Sequence, residues 1–102
     1  MFAESGYINV GILLLKMTTN ASKNEWVIYL LKCLNGSLYT GVTNDIEKRM
    51  EKHSSGRGSK YVRANGFGKL VAKRICLDKS DACKKEYFVK QLSRDEKIEW
   101  FR

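Results

Sequence analysis

Long apolar runs are absent from this 102-residue chain: residues 10–15, with Gly11 among them, make a run of only six, whereas a membrane-spanning helix needs about 20. No transmembrane helix is available. A secretory leader also fits poorly, because no basic residue precedes that run, Lys16 follows it, and no small-residue cleavage pattern comes after it. Cysteine is scarce. Cys33, Cys76 and Cys83 are odd in number, widely spaced and without a CxxC pair, which excludes a disulfide framework and a zinc knuckle and predicts reduced core thiols. The single histidine, His53, has no nucleophile-elbow motif near it, so a Ser/His/Asp triad has no support. Repeats and low-complexity tracts are missing. Gly56, Gly58, Gly66 and Gly68 lack the strand-turn-helix frame of a dinucleotide fingerprint and read as loop punctuation. No small-molecule organic cofactor is expected. These exclusions leave one small domain, expected in the cytoplasm.

Acidic residues are also in short supply, 11 against 19 Lys and Arg, which gives a formal charge of +8. Residues 1–25 contribute nothing to it, since Lys16 and Lys23 are balanced by Glu4 and Glu25. Residues 45–74 carry nine basic side chains against Asp45, Glu47 and Glu51, a local +6. Such a stretch is an electrostatic footprint for a polyanion. Charge alone does not separate nucleic acid from anionic lipid or an acidic protein.

Residues 18–25 are small, polar and without periodicity, so residues 1–24 read as an N-terminal extension or flexible lead-in and residues 25–102 as the folded domain. Trp26 opens a β-branched and aromatic run. Asn35-Gly36 supplies a positive-φ turn, and residues 37–43 form a second run, the pattern of a β-hairpin. Asn44 or Asp45 caps a helix ending near His53, a short helical turn is expected near residues 60–63, and residues 69–77 alternate as a third strand. A helix should follow from Ser80 or Asp81 to about Leu92, and Ser93 with Glu96 forms a capping box for a last one. The order predicts an α/β (α+β) domain on an antiparallel or mixed sheet.

Three features carry candidate chemistry. Tyr29 and Tyr39 lie on the two hairpin arms, read as close to directly opposite across a two-residue turn; they either pack the sheet or share a functional surface. Arg49 and His53, one helical turn apart, are either a solvated basic face or part of a site. Glu86 falls within about 60° of Ala82, Cys83 and Val89 on a helical projection, toward the apolar side. A carboxylate there is either in a salt bridge to a lysine or arginine, or a single-carboxylate site for Mg²⁺, which keeps several waters and takes substrate phosphate.

Val27-Ile28-Tyr29, nine residues, Tyr39-Thr40-Gly41, then Arg49, His53 and Glu86 together resemble the GIY-YIG nuclease family, most closely its small stand-alone bacterial members. Gly6-Tyr7-Ile8 is a decoy, because no second tyrosine motif follows at hairpin distance. The resemblance implies a metal-dependent endonuclease built on a central three-stranded antiparallel sheet flanked by helices, with both tyrosines rising from the hairpin. It further implies that Glu86 holds one Mg²⁺ or Mn²⁺, that Arg49 stabilises the pentacovalent phosphorus, that Tyr29 takes a proton from the attacking water and that Tyr39 orients water or phosphate. His53 either accepts a proton from Tyr29 or contacts phosphate. An unperturbed phenol, pKa about 10 and roughly 0.1% ionised at pH 7, needs nearby positive charge to serve as a base; Arg49, His53 and the metal are the expected sources. Gly41 is expected to allow close backbone approach behind Tyr39.

Val27 and Thr40 replace the motif's glycine and isoleucine, and the asparagine that many members carry after the glutamate has no counterpart beyond Asn65, so part of the hydrogen bonding in the cleft is either missing or supplied by Gln91 or Ser93. No appended DNA-binding domain is expected, and Lys48, Lys52, Arg57, Lys60, Arg63 and Lys69 are the expected nucleic-acid contacts. DNA is the expected partner, with RNA not excluded; branched, nicked or single-stranded forms are expected over a defined duplex sequence. Repair or recombination is the expected setting. The alternative is a non-catalytic nucleic-acid-binding module on the same fold. Oligomeric state is not legible.

Overall fold

The computed structural model describes residues 24–102; the lead-in expected over residues 1–24 and the Gly6-Tyr7-Ile8 decoy lie outside the described residues, Asn24 excepted. Strands β1 (Val27–Cys33) and β2 (Leu38–Thr43) come first, followed by helices α1 (Ile46–Ser54) and α2 (Lys60–Asn65). Strand β3 (Phe67–Ile75), then helices α3 (Lys79–Lys90) and α4 (Arg94–Phe101), complete the order. The sheet runs β2-β1-β3 with both pairings antiparallel. The predicted three-stranded α+β architecture is therefore present.

β1 is central, and its apolar run is continuous because both of its faces are covered; Lys32 is its one exposed residue. Ile28 and Leu30 point to one side, joining Ala82 and Val89 of α3 and Phe101 of α4. Tyr29, Leu31 and Cys33 point to the other, joining Val62 of α2, with Ile46 and Met50 of α1 packed against them. Each fully buried aliphatic side chain of this set contributes about 1.5–3 kcal/mol. Alternation along one strand thus decides that Tyr29 belongs to the α1 and α2 side.

The helices start where polar caps stop the chain. Asp45 accepts from the Lys48 amide, Asp78 from the Asp81 amide, and Ser93 and Glu96 complete both bonds of the expected capping box. β3 begins and ends two residues before the expected span. Its end is set by the next cap: the Leu77 amide donates to Asp81 Oδ2 at 2.8 Å, which turns the chain into α3. The hairpin turn differs as well. Cys33 N–H donates to Ser37 O at 2.8 Å, so Leu34, Asn35 and Gly36 form a three-residue loop, with Gly36 at φ 89°.

Two arginines fasten the outer elements. Arg74 of β3 lies 4.4 Å from the Trp100 ring centroid and donates to the Trp100 carbonyl at 2.8 Å, while Arg94 donates to the Gly36 carbonyl at 2.6 Å. Arg74 is thereby withdrawn from the basic stretch counted in the sequence. Of the three thiols, Cys33 and Cys76 are buried as expected. Cys83 is exposed, on the outer side of α3, which corrects its assignment to the core.

Candidate active site

The three-residue loop shifts the hairpin register, and with it the two tyrosines. Tyr29 pairs with Gly41, and Tyr39 pairs with Leu31. The tyrosines are therefore diagonal neighbours on one face, with ring centroids 6.3 Å apart, not directly opposite one another. The residue opposite Tyr29 has no side chain, and the phenol folds into that space: a Cβ on Gly41 would lie 2.5 Å from Tyr29 Oη. Gly41 thus makes room for Tyr29 itself, a closer role than backing Tyr39.

From the other side α1 lowers His53 onto the same phenol. Tyr29 Oη and His53 Nε2 are 2.8 Å apart, and both residues are buried. Gly58, read from sequence as loop punctuation, is the second wall, since a Cβ there would collide with His53 Nδ1. That nitrogen is buried without a hydrogen-bond partner among the described residues. Tyr39 stands edge-on to His53 at 5.5 Å between centroids. No sequence signal marked Gly58, because its contact with His53 is made across a loop.

Neither tyrosine rises freely into solvent: Tyr29 is 0% exposed and Tyr39 is partly buried. Burial is the main reason the Tyr29 hydroxyl is pushed well above the usual phenol range, with Tyr39 and Glu86 adding in the same direction and the Arg49 guanidinium beside it pulling the other way. The positive charge of Arg49 acts on the phenol in the expected direction, but burial outweighs it. His53 supplies no such charge, because burial and then the nearby Arg49 hold its pKa below the ordinary 6.5 and favour the neutral ring.

Arg49 connects this buried pair to the surface. Its guanidinium interacts with the Tyr29 hydroxyl, and it lines an open hollow together with Thr43, Asn44, Asp45, Lys48 and Lys52. Three of those six side chains are cationic, and Asp45 is occupied in capping α1. An anion in the hollow meets Lys48, Arg49 and Lys52.

Glu86 approaches from α3. Its side chain is 24% exposed and its Oε2 pairs with Lys90 at 3.2 Å, so the salt-bridge alternative is realised within the helix, yet its charge also reaches the Tyr29 hydroxyl. No group of three His, Cys, Asp or Glu side chains gathers as a metal cluster among the described residues. The donor set nonetheless suits a hard divalent ion, since one carboxylate whose Oε1 is outside the ion pair is enough for an Mg²⁺ that keeps its waters and binds substrate phosphate. Gln91 and Ser93 do not serve the cleft: Gln91 donates to the Tyr87 carbonyl and Ser93 caps α4.

The remaining basic residues divide. Arg57, Lys60 and Arg63 are exposed along the α1–α2 connection and α2, continuing from Lys48 and Lys52. Lys69 of β3 is not with them; it pairs with Lys32 of β1, and the pleat turns it from the face that Leu31 and Leu70 share with Tyr29. Tyr61 was missed. It stacks on Tyr39 at 5.8 Å between centroids, and an aromatic residue set among Lys60 and Arg63 was the available signal.

Residues 25–99 match the family described as the GIY-YIG catalytic domain. The chain belongs to that family, a family of nuclease domains. It is 40% identical over 81 residues to a UPF0213 protein of Pectobacterium carotovorum, covering 79% of this chain and 82% of that one. A UPF0213 protein of Photorhabdus laumondii is 45% identical over 76 residues, covering 74% and 73%. The solution NMR structure of a UPF0213 protein from Bacillus halodurans is 43% identical, covers 74% of this chain and 81% of that one, and superposes with a TM-score of 0.48. Among the described residues of the GIY-YIG domain no helix is long and apolar enough to cross a membrane.

Proposed function

We propose that this GIY-YIG chain is a metal-dependent endonuclease that hydrolyses phosphodiester bonds in DNA, selecting branched, nicked or single-stranded structure over a defined sequence, in repair or recombination. The observation that carries the reading is the bond between Tyr29 Oη and His53 Nε2, buried between two glycines and joined to the surface hollow by Arg49. A module that only binds DNA needs its exposed lysines and arginines; it has no use for a buried phenol and imidazole whose second nitrogen is left unpaired.

The residues divide the work by their surroundings. Lys48, Arg49 and Lys52 draw a phosphate into the hollow, and Arg49 makes charge-assisted bonds to the phosphorus oxygens as charge builds on them. As Arg49 turns to the phosphate it uncovers the Tyr29 hydroxyl. Tyr29 Oη then takes a proton from the attacking water while giving its own proton to His53 Nε2, the water oxygen bonds to phosphorus, and the bond from phosphorus to the 3′ oxygen breaks, that oxygen leaving with a proton from solvent. A free tyrosinate is costly in this buried setting, so the two transfers go together, and the neutral His53 is the acceptor that makes the first one affordable. Tyr39, partly exposed beside both, orients the water. Glu86 would hold one Mg²⁺ or Mn²⁺, which when bound offsets the charge on the phosphate and on the leaving 3′ oxygen.

The test is cleavage of labelled single-stranded, duplex, nicked and branched DNA by the purified chain with Mg²⁺, Mn²⁺ or EDTA. Cutting that requires the metal and favours the discontinuous substrates is the expected result. Binding without cutting on every substrate contradicts it.

A further inference from the structure

Tyr61 lies outside the groups given a role above. It is 43% exposed, and its inner ring face lies against Tyr39 with the ring planes 28° apart. Tyr39 meets His53 edge-on, and His53 holds the Tyr29 hydroxyl. The rings therefore run without interruption from the buried phenol to the surface, where the last of them stands on α2, a helix that also carries Lys60 and Arg63. A lone exposed tyrosine needs no explanation. This one is held in a fixed orientation by a stack, is flanked by cations and is two ring contacts, of 6.3 and 5.8 Å, from the Tyr29 ring.

We infer that Tyr61 is a stacking platform for an unpaired nucleobase beside the scissile phosphate; the inference rests on the nuclease reading and names what selects its substrate. In a duplex both faces of each base are covered by neighbouring pairs. A base can lie on Tyr61 only where one face is free, as in a single strand, a flap or a gap. Arg57, Lys60 and Arg63 are exposed on the α1–α2 connection and on α2 and take the flanking phosphates. Stacking accepts any base, which agrees with a domain that offers no element for reading a groove. Structure preference then comes from one aromatic face rather than from base-edge hydrogen bonds.

The experiment is a fluorescence titration in EDTA, so that nothing is cut, using oligonucleotides carrying 2-aminopurine in single-stranded, gapped and fully paired form. The chains compared are wild type, Tyr61→Phe, Tyr61→Leu and Arg63→Ala. Wild type and Tyr61→Phe, which keep the ring face, should quench the unpaired 2-aminopurine and bind the single strand more tightly than the duplex. Tyr61→Leu keeps apolar contact with Tyr39 but loses that face. It should lose the quenching and about tenfold of the single-strand affinity while duplex affinity stays unchanged. Arg63→Ala should weaken both forms alike.

The inference is overturned if Tyr61→Leu binds single strands as wild type does, or loses single-strand and duplex affinity by the same factor. A Tyr61-dependent preference in a protein that cuts nothing with Mg²⁺ or Mn²⁺ keeps the platform and removes the catalytic reading. Cutting that is indifferent to Tyr61→Leu removes the platform alone, and absence of DNA binding removes both.

Discussion

At the scale of single residues, the account turns on a phenol and an imidazole that share one buried hydrogen bond. Tyr29→Phe removes the hydroxyl and leaves His53 Nε2 with no partner, at a cost of about 1–2 kcal/mol. Urea unfolding should show that loss in a chain that still folds, and the cleavage assay should show no activity. The linkage of His53 to pH has a definite sign. Its folded pKa is depressed below 6.5, so the unfolded chain binds more protons between the two values and stability rises with pH there. Stability should be full above about 6.5 and fall as the pH drops toward the folded value, whereas cleavage should persist through that window and fail only as the pH passes down through the folded value, where the neutral proton acceptor is lost. Unfolding curves and cleavage rates between pH 5 and 8 check this, and in His53→Gln this contribution to the acid slope of stability should disappear. These residues were only partly legible in the sequence. Order and spacing pick out Tyr29, Tyr39, Arg49, His53 and Glu86, but the sign of the Tyr29 shift depends on burial, and Gly58 enters through a contact that no local pattern encodes.

At the scale of elements, the strands and caps hold the site in place without touching its chemistry. The Ser93 capping box satisfies the start of α4, which packs Phe101 against Ile28 and Leu30 on the face of β1 opposite Tyr29. Ser93→Ala should therefore cost about 1 kcal/mol in thermal or chemical unfolding and leave the cleavage rate under saturating substrate unchanged. An equal loss of activity would mean that α4 reaches the site. Caps and apolar periodicity made the elements readable before any contact was known: Asp45 and Ser93 are polar stops placed just ahead of helical patterns, whereas the helix expected from Ser80 or Asp81 starts earlier, at Lys79, because Asp78 caps it. Register was less readable. Asn35-Gly36 announces a turn but not its length, and one added loop residue, Leu34, pairs Tyr29 with Gly41 where a two-residue turn would pair it with Val42, which brings Tyr39 onto the face of Tyr29 as its diagonal neighbour. The C-terminal end of β3 was shifted for a similar reason, since the Asp81 carboxylate captures the Leu77 amide from four residues away.

At the scale of the whole molecule, a basic face covers a site that is small and mostly enclosed. Arg57, Lys60 and Arg63 extend that face beyond the hollow, whereas Lys69 lies across the sheet from it and Arg74 is bound to Trp100. Replacing Arg57, Lys60 and Arg63 with alanine should weaken DNA binding and make the plot of log affinity against log salt shallower by about two to three units, as a titration in NaCl would show. Adding Lys69→Ala to that variant should change little. Net charge identified a polyanion partner but left its kind open; the family, the buried pair and the carboxylate on α3 point from binding toward hydrolysis. The most direct test of that step is Glu86→Ala, with cleavage and gel retardation of the same branched DNA measured side by side in the presence and absence of Mn²⁺. The account predicts that retardation without metal stays close to wild type while metal-dependent cleavage disappears. Cleavage that survives the substitution would contradict the role given to Glu86 and the metal-dependent mechanism built on it.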